Sequence, residues 1–349
     1  MKFGFGTTAE KNGIPRIDRI FPTAAIPGGE ITIHGSGFAS RHGARPVVRF
    51  GEAEAALSLV SRNRLIVRVP ENPTGNSLQV VQSENESQPF PVSVAFQIAD
   101  NLHPVANPVV DSSGNIYVTF SGPRGQRVPV SLYKIGSNYS VKPYVTSLIN
   151  PTGLALGPNG DLFVSCRHDG TIHRVTPDGR SQQWIEGMGV ATGIAFDRVG
   201  NLFVGDRSGT IFKISSEGEI FVFATLEPSV AAYHLVFHPS GDLYVSGPTT
   251  SSYDRVYRIT QGGEVHVFYR GLGRPQGMAF DRESNLYIAA SLGGRRGIVR
   301  ISPDGRAEHV LNGPALVGLA LLPSGRAIVA ANSALFTLDW DVHGVPLLG

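Results

Sequence analysis

The sequence predicts an all-β protein whose larger part is a β-propeller. Glycine and proline are abundant, with 42 Gly and 24 Pro among 349 residues, which is typical of many short strands joined by tight turns. No stretch free of both residues repeats apolar positions at i, i+3, i+4 and i+7 for long enough to form a long amphipathic helix. In addition, one short phrase recurs along most of the chain, and such internal repeats decide the fold.

The repeated phrase is a small apolar strand, a turn containing glycine, and a strand of the form Leu-Phe/Tyr-Val. Clear copies begin at Thr152, Thr192, His234 and Gln276. Weaker copies flank them, and the six turn positions are Asn115, Asp161, Asn201, Asp242, Asn285 and Arg326, spaced 46, 40, 41, 43 and 41 residues apart. A period of about 40–45 residues with four strands per unit is typical of propellers. Six blades are therefore predicted, with either the C-terminal tail or Pro91–Ile98 supplying the strand that closes the ring.

Over residues 101–349 these repeats resemble the NHL and SMP-30/gluconolactonase-like six-bladed propellers. The second strand of that family usually ends in Val-Ala-Asp, and only Asp206 keeps this aspartate. Family members of the SMP-30 kind hold a divalent metal through a Glu, two Asn and an Asp, because hard cations require oxygen ligands. The matching positions here offer Asn107, Asp206 and mostly glycine. No metal or other cofactor is therefore predicted, with a divalent metal as the alternative.

The residues before the repeats, 15–97, follow another pattern. A Pro27-Gly28-Gly29 turn precedes an Ile31-Thr32-Ile33 strand, and a Gly35-Ser36-Gly37-Phe38 corner follows. This order closely resembles the IPT/TIG domain, and the resemblance implies an immunoglobulin-like β-sandwich with a role in binding or spacing rather than catalysis. Residues 1–14 are expected to form a flexible N-terminal arm.

Charge and hydropathy exclude several classes of partner. The formal net charge is +2, so there is no strong field to attract nucleic acid or an acidic membrane. No apolar run is long enough to span a bilayer, and the N-terminus lacks the apolar core of a signal peptide. The expected location is therefore cytoplasmic by default. The single cysteine, Cys166, has no partner for an intrachain disulfide.

Arginines recur in the loops between the second and third strands of the repeats. In a propeller these loops share one face of the ring, called here the top face, and loops on a rigid scaffold usually carry function. The arginines are Arg124, Arg127, Arg167, Arg207, Arg255, Arg295 and Arg296. Guanidinium groups bind carboxylate, sulfate or phosphate oxygens bidentately. The loops therefore predict a site for an anionic small molecule or carbohydrate, or for a protein; the alternative is that the arginines are solvated or paired with neighbours.

A second group of candidates lies where the inner strands begin, near the central channel. His234 occupies the position at which other repeats have Gly153, Gly193, Gly277 and Gly318. Tyr233 stands beside it, and Asn107 fills the same position in the first repeat. Histidine can serve as a base or a metal ligand, so His234 is the candidate catalytic residue, whereas a hydrogen-bonded structural histidine is the alternative.

Two functions remain open at this level. The first is a binding or scaffold protein whose arginine-rich top face docks an anionic ligand or partner. The second is an SMP-30/gluconolactonase-like hydrolase or lyase that acts on a small lactone or sugar-derived substrate in the channel, with His234, Asn107 and Asp206. Whether the protein is an enzyme, and its oligomeric state, are left open by the sequence.

Overall fold

The computed structural model describes residues 14–38, 44–251 and 253–346. It divides into two compact units, Met1–Val94 and Ala95–Gly349. Every regular element in the described residues is a β-strand, which confirms the all-β prediction. The predicted N-terminal arm lies outside the described residues, apart from Ile14, which is 70% exposed. Nowhere in the described ranges is there a helix long and apolar enough to cross a membrane.

The first unit is built from ten strands. They are β1 (Arg16–Phe21), β2 (Ala24–Ala25), β3 (Glu30–Ser36), β4 (Val47–Phe50), β5 (Ala53–Val60), β6 (Arg64–Arg68), β7 (Ser77–Gln82), β8 (Asn85–Glu86), β9 (Phe90–Pro91) and β10 (Ser93–Val94). Seven of them pair in the order β1-β3-β6-β5-β4-β7-β8, β9 adds to β7, and β10 runs parallel to β2. The predicted β-sandwich is confirmed.

Alternation along β3 explains the core of this unit. Ile31 and Ile33 point inward and are fully buried, together with Phe38 and Phe50. Gly35 packs directly against this core, because an added Cβ would lie 1.9 Å from the Arg16 carbonyl oxygen and 2.5 Å from the Phe38 ring. The glycine of the corner motif is thus required by close packing.

The second unit repeats a four-stranded antiparallel sheet. Blade 1 holds β12 (Val109–Val110), β13 (Ile116–Thr119), β14 (Leu132–Ile135) and β15 (Val141–Val145). Blade 2 holds β16 (Pro151–Leu156), β17 (Leu162–Cys166), β18 (Thr171–Val175) and β19 (Ser181–Ile185). Blade 3 holds β20 (Ala191–Phe196), β21 (Leu202–Asp206), β22 (Thr210–Ile214) and β23 (Ile220–Thr225).

The remaining strands continue the pattern. Blade 4 holds β24 (His234–Phe237), β25 (Leu243–Ser246), β26 (Asp254–Ile259) and β27 (Val265–Leu272). Blade 5 holds β28 (Met278–Phe280), β29 (Leu286–Leu292), β30 (Arg295–Ile301) and β31 (Ala307–Asn312). Blade 6 holds β32 (Leu316–Leu321), β33 (Arg326–Ala331), β34 (Leu335–Asp339) and, from the start of the unit, β11 (Phe96–Ala99). Among the described residues, blades 1, 2, 3, 4 and 6 are separate four-stranded sheets, which makes five such sheets compared with the six that the repeat predicts. The four strands of blade 5 pair with one another in the same order, but they belong to a larger sheet.

The ring is closed by the segment that precedes blade 1. Strand β11 pairs antiparallel with β34, with Phe96 opposite Thr337. As far as the tail is described, to residue 346, it instead forms one isolated bridge, between Gly344 and Asp281. Of the two alternatives, the closing strand therefore comes from 96–99, within and just beyond the predicted segment.

Side chains along each inner strand alternate between the two neighbouring blades. In β24, Leu235 packs into the core shared with blade 3, whereas Val236 packs against the core shared with blade 5. The hydrophobic core therefore consists of layers between adjacent blades. The loops at the two faces of the ring are not needed for this core, so they can carry a binding site.

Candidate functional site

Three of the predicted arginines come together on the top face of blades 1, 2 and 3. Arg124 lies in the connection between β13 and β14, Arg167 follows β17, and Arg207 follows β21. The three strands that precede them run in the same direction, so their ends meet at one face. We call Arg124, Arg167 and Arg207 the arginine cluster.

Asn150 ties the first two of these loops together. Its side-chain Nδ2 donates to the Gly122 carbonyl at 2.7 Å and the Pro123 carbonyl at 3.0 Å, and its Oδ1 accepts from Gly125 N at 2.7 Å. Its own carbonyl accepts from Arg167 N at 3.1 Å. One buried side chain therefore sets the position of the Arg124 loop relative to Arg167.

The Arg167 guanidinium has neither a carboxylate partner nor an acceptor for its Nε–H group among the described residues. The side chain is half-buried, and its Nε is buried with no hydrogen-bond partner among the described residues. Burial, then the positive charges of Arg207 and Arg124, lower the pKa of Arg167. Over the described part of the chain, no carboxylate forms an ion pair with any member of the cluster. The cluster therefore carries positive charge that is not paired with a carboxylate of the described residues. The Arg167 Nε–H group is also a buried donor without an acceptor among them.

One member of the cluster, Arg207, and the nearby Asp169 already have hydrogen-bond partners. Arg207 Nη2 donates to the Val230 carbonyl at 2.9 Å, which fixes its guanidinium on the edge of the following loop. The Asp169 carboxylate accepts from the Thr171 hydroxyl at 2.8 Å. The imidazole of His168 lies next to Gly125, whose added Cβ would come within 3.2 Å of its Cε1. Arg207 thus presents a held guanidinium, while Arg124 and Arg167 have guanidinium groups with no partner among the described residues.

The other predicted arginines are not among the charges that act on Arg167. Arg255 pairs with Glu227 at 3.0 Å and lines a separate cavity of about 340 Å³ with Arg270. Arg295 and Arg296 begin β30 in blade 5 and are exposed. The predicted basic rim is therefore divided, and the three arginines that act on one another are those of blades 1–3.

Glycines allow the inner strands to touch around the channel. An added Cβ at Gly193 would lie 2.3 Å from Tyr233 O, and one at Gly277 would lie 2.8 Å from the Gly318 Cα. At Gly153 the nearest atom would be Thr192 O, at 2.4 Å. Each glycine therefore serves the close approach of neighbouring blades.

Asn107 is placed in the same ring of contacts. Its Nδ2 donates to the Met278 carbonyl at 2.8 Å, and its Oδ1 accepts from Leu319 N at 3.1 Å. The amide thereby joins the first repeat to blades 5 and 6. Both ends of this candidate side chain are hydrogen-bonded to backbone.

Asp206 and Tyr233 are likewise placed in structural contacts. The Asp206 carboxylate accepts from Val190 N at 2.8 Å and from the Ser208 hydroxyl. The Tyr233 ring is 2% exposed, and its hydroxyl donates to the Glu227 carbonyl. Neither side chain is hydrogen-bonded to His234.

His234 stands apart from these networks. It is 5% exposed, and burial lowers its pKa to about 4. Among the residues that the structure describes, its side chain has no hydrogen-bond partner. The imidazole is therefore neutral at physiological pH. In the same described set, no group of three or more His, Cys, Asp or Glu side chains could hold a metal ion.

Asn150 is the residue of this site that sequence reasoning missed. It is fully buried and adopts a left-handed backbone conformation with φ of 51°, which asparagine tolerates better than most residues. The signal that could have found it is the Asn150-Pro151 pair, since Asn-Pro favours the start of a turn. Its bonds to residues 25 to 28 positions away leave no local signature.

Comparison with known proteins supports both parts of the architecture. Residues 15–98 match the IPT/TIG domain family. No curated protein matches the chain significantly. Among solved structures, an auxiliary nutrient binding protein from Bacteroides thetaiotaomicron is similar over 94% of this chain and 98% of its own, with 11% identity and a TM-score of 0.57.

Two enzyme structures share the fold as well. A gluconolactonase from Xanthomonas campestris is similar over 71% of this chain and 89% of its own, with 15% identity and a TM-score of 0.56. A streptogramin B lyase is similar over 89% and 97%, with 16% identity and a TM-score of 0.51. Likeness at such identities shows the fold alone. The chain thus has a region that matches the IPT/TIG domain family at residues 15–98, followed by a β-propeller whose fold is similar to that of these solved structures.

Proposed function

We propose that this protein is a binding protein whose arginine cluster holds an anionic ligand. The observation that carries the proposal is the buried Arg167 Nε without an acceptor, beside two further positive charges. An oxygen placed there would form a charge-assisted hydrogen bond, which contributes about 1.5–3 kcal/mol in proteins. The fold itself occurs in both binding proteins and enzymes.

The ligand class follows from the donors. Guanidinium forks match the paired oxygens of carboxylate, sulfate and phosphate groups. Arg124 is exposed and Arg167 is half-buried, so the cluster reaches from the surface inward. A sulfated or carboxylated carbohydrate, a phosphorylated small molecule, or an acidic protein segment would fit this chemistry.

Titration with a heparin-derived sulfated oligosaccharide tests the proposal. Arg167→Gln is expected to weaken binding about tenfold, the loss of one charged hydrogen bond. Arg180→Gln is the matched control, because Arg180 is already paired with Asp178 at 2.6 Å and is 84% exposed. Equal affinity of the Arg167 variant and the wild type, with inorganic phosphate also failing to compete, would refute the arginine cluster as the site.

The double variant Arg295→Ala/Arg296→Ala measures how far the ligand extends. If affinity falls as it does for Arg167→Gln, the ligand reaches across the top face to blade 5. If affinity is unchanged, binding is confined to blades 1–3 and the wider basic rim predicted from the sequence has no role in it.

A hydrolase or lyase is the second candidate, and one observation favours it. His234 is neutral, buried and free of side-chain partners among the described residues, so a substrate could engage it. The assay is lactone hydrolysis with and without added Ca²⁺, Mg²⁺ or Zn²⁺, repeated on His234→Ala. Turnover that requires the metal and is lost in the variant would favour the enzyme, whereas turnover equal to buffer alone would leave binding as the function.

A further inference from the structure

A second cavity lies on the bottom face, at the turns between the first and second strands of blades 3 and 4. Its volume is about 510 Å³, and four phenylalanines contribute to its walls: Phe196, Phe203, Phe223 and Phe237. The Phe203 ring is 4.9 Å from the Phe223 ring and 5.0 Å from the Phe237 ring, both edge-on. This volume is in the range of small-molecule sites, about 300–1,000 Å³, which are also mostly apolar and aromatic.

Positive groups share the cavity with the rings. Lys213 Nζ lies 5.9 Å from the centroid of the Phe203 ring, and Arg198 and His238 also line the cavity. Within the described ranges, no carboxylate pairs with Lys213 or Arg198. The Arg198 charge is close enough to His238 to contribute, after burial, to a lowered pKa of that imidazole. The apolar walls are therefore combined with two cations, Lys213 and Arg198, that form no ion pair within the described ranges.

Neighbouring blades show why Lys213 is unpaired. The equivalent cation of blade 2, Arg174, donates through Nε to Asp161 at 2.9 Å. That of blade 4, Arg258, donates to Asp242 at 2.7 Å. In both blades the acid is the turn residue immediately before the second strand, so each of these two cations is paired with a carboxylate of its own blade.

Blade 3 has an asparagine at that turn position. Asn201 Nδ2 donates to Asp197 Oδ2 at 2.7 Å, and Asn201 N donates to Asp197 Oδ1 at 2.8 Å. Val199 N donates to the same Oδ1 at 3.1 Å. The only carboxylate of the cavity lining within the described residues, Asp197, is thus held by hydrogen bonds within its own turn, and it forms no ion pair with Lys213.

We propose that this cavity binds a small aromatic carboxylate. The flat ring packs among the phenylalanines, where edge and face contacts between aromatic rings are favourable. The ligand carboxylate is held by Lys213 and Arg198, and it provides the counter-charge that Asp161 and Asp242 provide in the adjacent blades. Because the cavity is on the bottom face, this site is separate from the arginine cluster and does not depend on the function proposed for it.

The probe is 2-naphthoate, titrated into the full chain by calorimetry beside its neutral analogue 2-naphthamide. Naphthoate is expected to bind at one site and naphthamide at least about tenfold more weakly, because the amide carries no charge for the cations. Lys213→Met is expected to weaken naphthoate binding about tenfold, and Arg198→Gln, at an exposed position, to weaken it in the same direction.

Two controls keep the result specific. Lys134→Met removes the equivalent lysine of blade 1, which lies 5.4 Å from the Tyr117 ring centroid, and is expected to leave naphthoate affinity unchanged. Arg167→Gln tests the arginine cluster and is expected to have no effect. Absence of naphthoate binding, equal binding of naphthamide, or equal losses in Lys213→Met and Lys134→Met would overturn the proposal. A loss confined to Arg167→Gln would also overturn it while leaving the proposed function intact.

Discussion

Gly125 N donates a 2.7 Å hydrogen bond to the side chain of Asn150, and through it the loop of blade 1 is held against blade 2. The same asparagine donates to two further carbonyls of that loop and accepts from Arg167 N. The relative placement of Arg124 and Arg167 therefore depends on one fully buried side chain. An uncharged residue therefore positions the loops that carry two of the charges of the arginine cluster.

Asn150→Ala is expected to lower the free energy of unfolding by about 2–3 kcal/mol, because it leaves buried loop groups without partners. It is also expected to weaken anion binding without removing any charge. Urea unfolding and oligosaccharide titration measure the two effects. Asn150→Gly keeps the left-handed backbone accessible and loses the same bonds. If the glycine variant bound the anion normally, the side-chain bonds of Asn150 would have no role in the site.

Gly193→Ala is expected to destabilise the propeller by about 1–3 kcal/mol or more, since the new methyl group would meet Tyr233 O at 2.3 Å. Thermal unfolding measures the change. Gly262→Ala is the control, because its nearest neighbour would be the Thr260 hydroxyl at 3.8 Å. Equal melting temperatures for the two variants would mean that the inner strands can separate to admit a side chain.

Asn107→Ala is expected to cost about 1–3 kcal/mol in unfolding free energy, because Met278 O and Leu319 N both lose a partner. Since these bonds join the first repeat to blades 5 and 6, hydrogen exchange is expected to rise at β28 and β32 more than at β16 or β20. An equal rise in hydrogen exchange across all the blades would show that the Asn107 amide does not stabilise β28 and β32 specifically.

His234 is expected to make stability depend on pH. Its pKa is lowered from 6.5 to about 4 by burial, so the unfolded chain binds a proton in this range that the folded chain does not. The stability that the neutral imidazole contributes to the folded state is fully present above pH 6.5 and is lost as pH falls toward 4. The free energy of unfolding is therefore expected to fall by about 2 kcal/mol between pH 7 and pH 5 because of this residue.

Urea unfolding of His234→Gln at pH 7 and pH 5 checks this, and the variant is expected to lose less stability on acidification than the wild type. His266→Gln is the control, since that side chain is 56% exposed. The same acid dependence in wild type and His234→Gln would contradict the buried, neutral imidazole.

Much of the architecture could be predicted because its causes are local. The turn residues from Asn115 to Arg326 recur at the period of a blade, and each second strand follows its turn directly. Part of the Gly35 corner is local as well, since its glycine packs on Phe38, three residues away, although its tightest contact is the Arg16 carbonyl oxygen on another strand. Such signals need only the residues beside them.

The candidate site could be predicted only in part. The arginines were found by their position in the repeat, but which of them keep a free charge depends on residues elsewhere, such as Glu227, which neutralises Arg255. Asn107 was named for its place near the channel, and its amide proves to bond the backbone of Met278, 171 residues along the chain. The position of a residue within the repeat does not show whether its side chain is already hydrogen-bonded or ion-paired to a residue elsewhere in the fold.

By itself, then, the sequence determined that the chain is all-β, that it begins with an IPT/TIG domain, and that a repeated four-stranded unit follows. The tertiary structure decided that β11 closes the ring, that Arg124, Arg167 and Arg207 share a face, and that Lys213 forms no ion pair with any carboxylate of the described residues. The physical reason is the distance along the chain over which each feature is determined. Strands and turns depend on residues that are neighbours in the sequence. Ring closure, the pairing of charges and the hydrogen bonds of buried side chains depend on residues that the fold brings together from different blades.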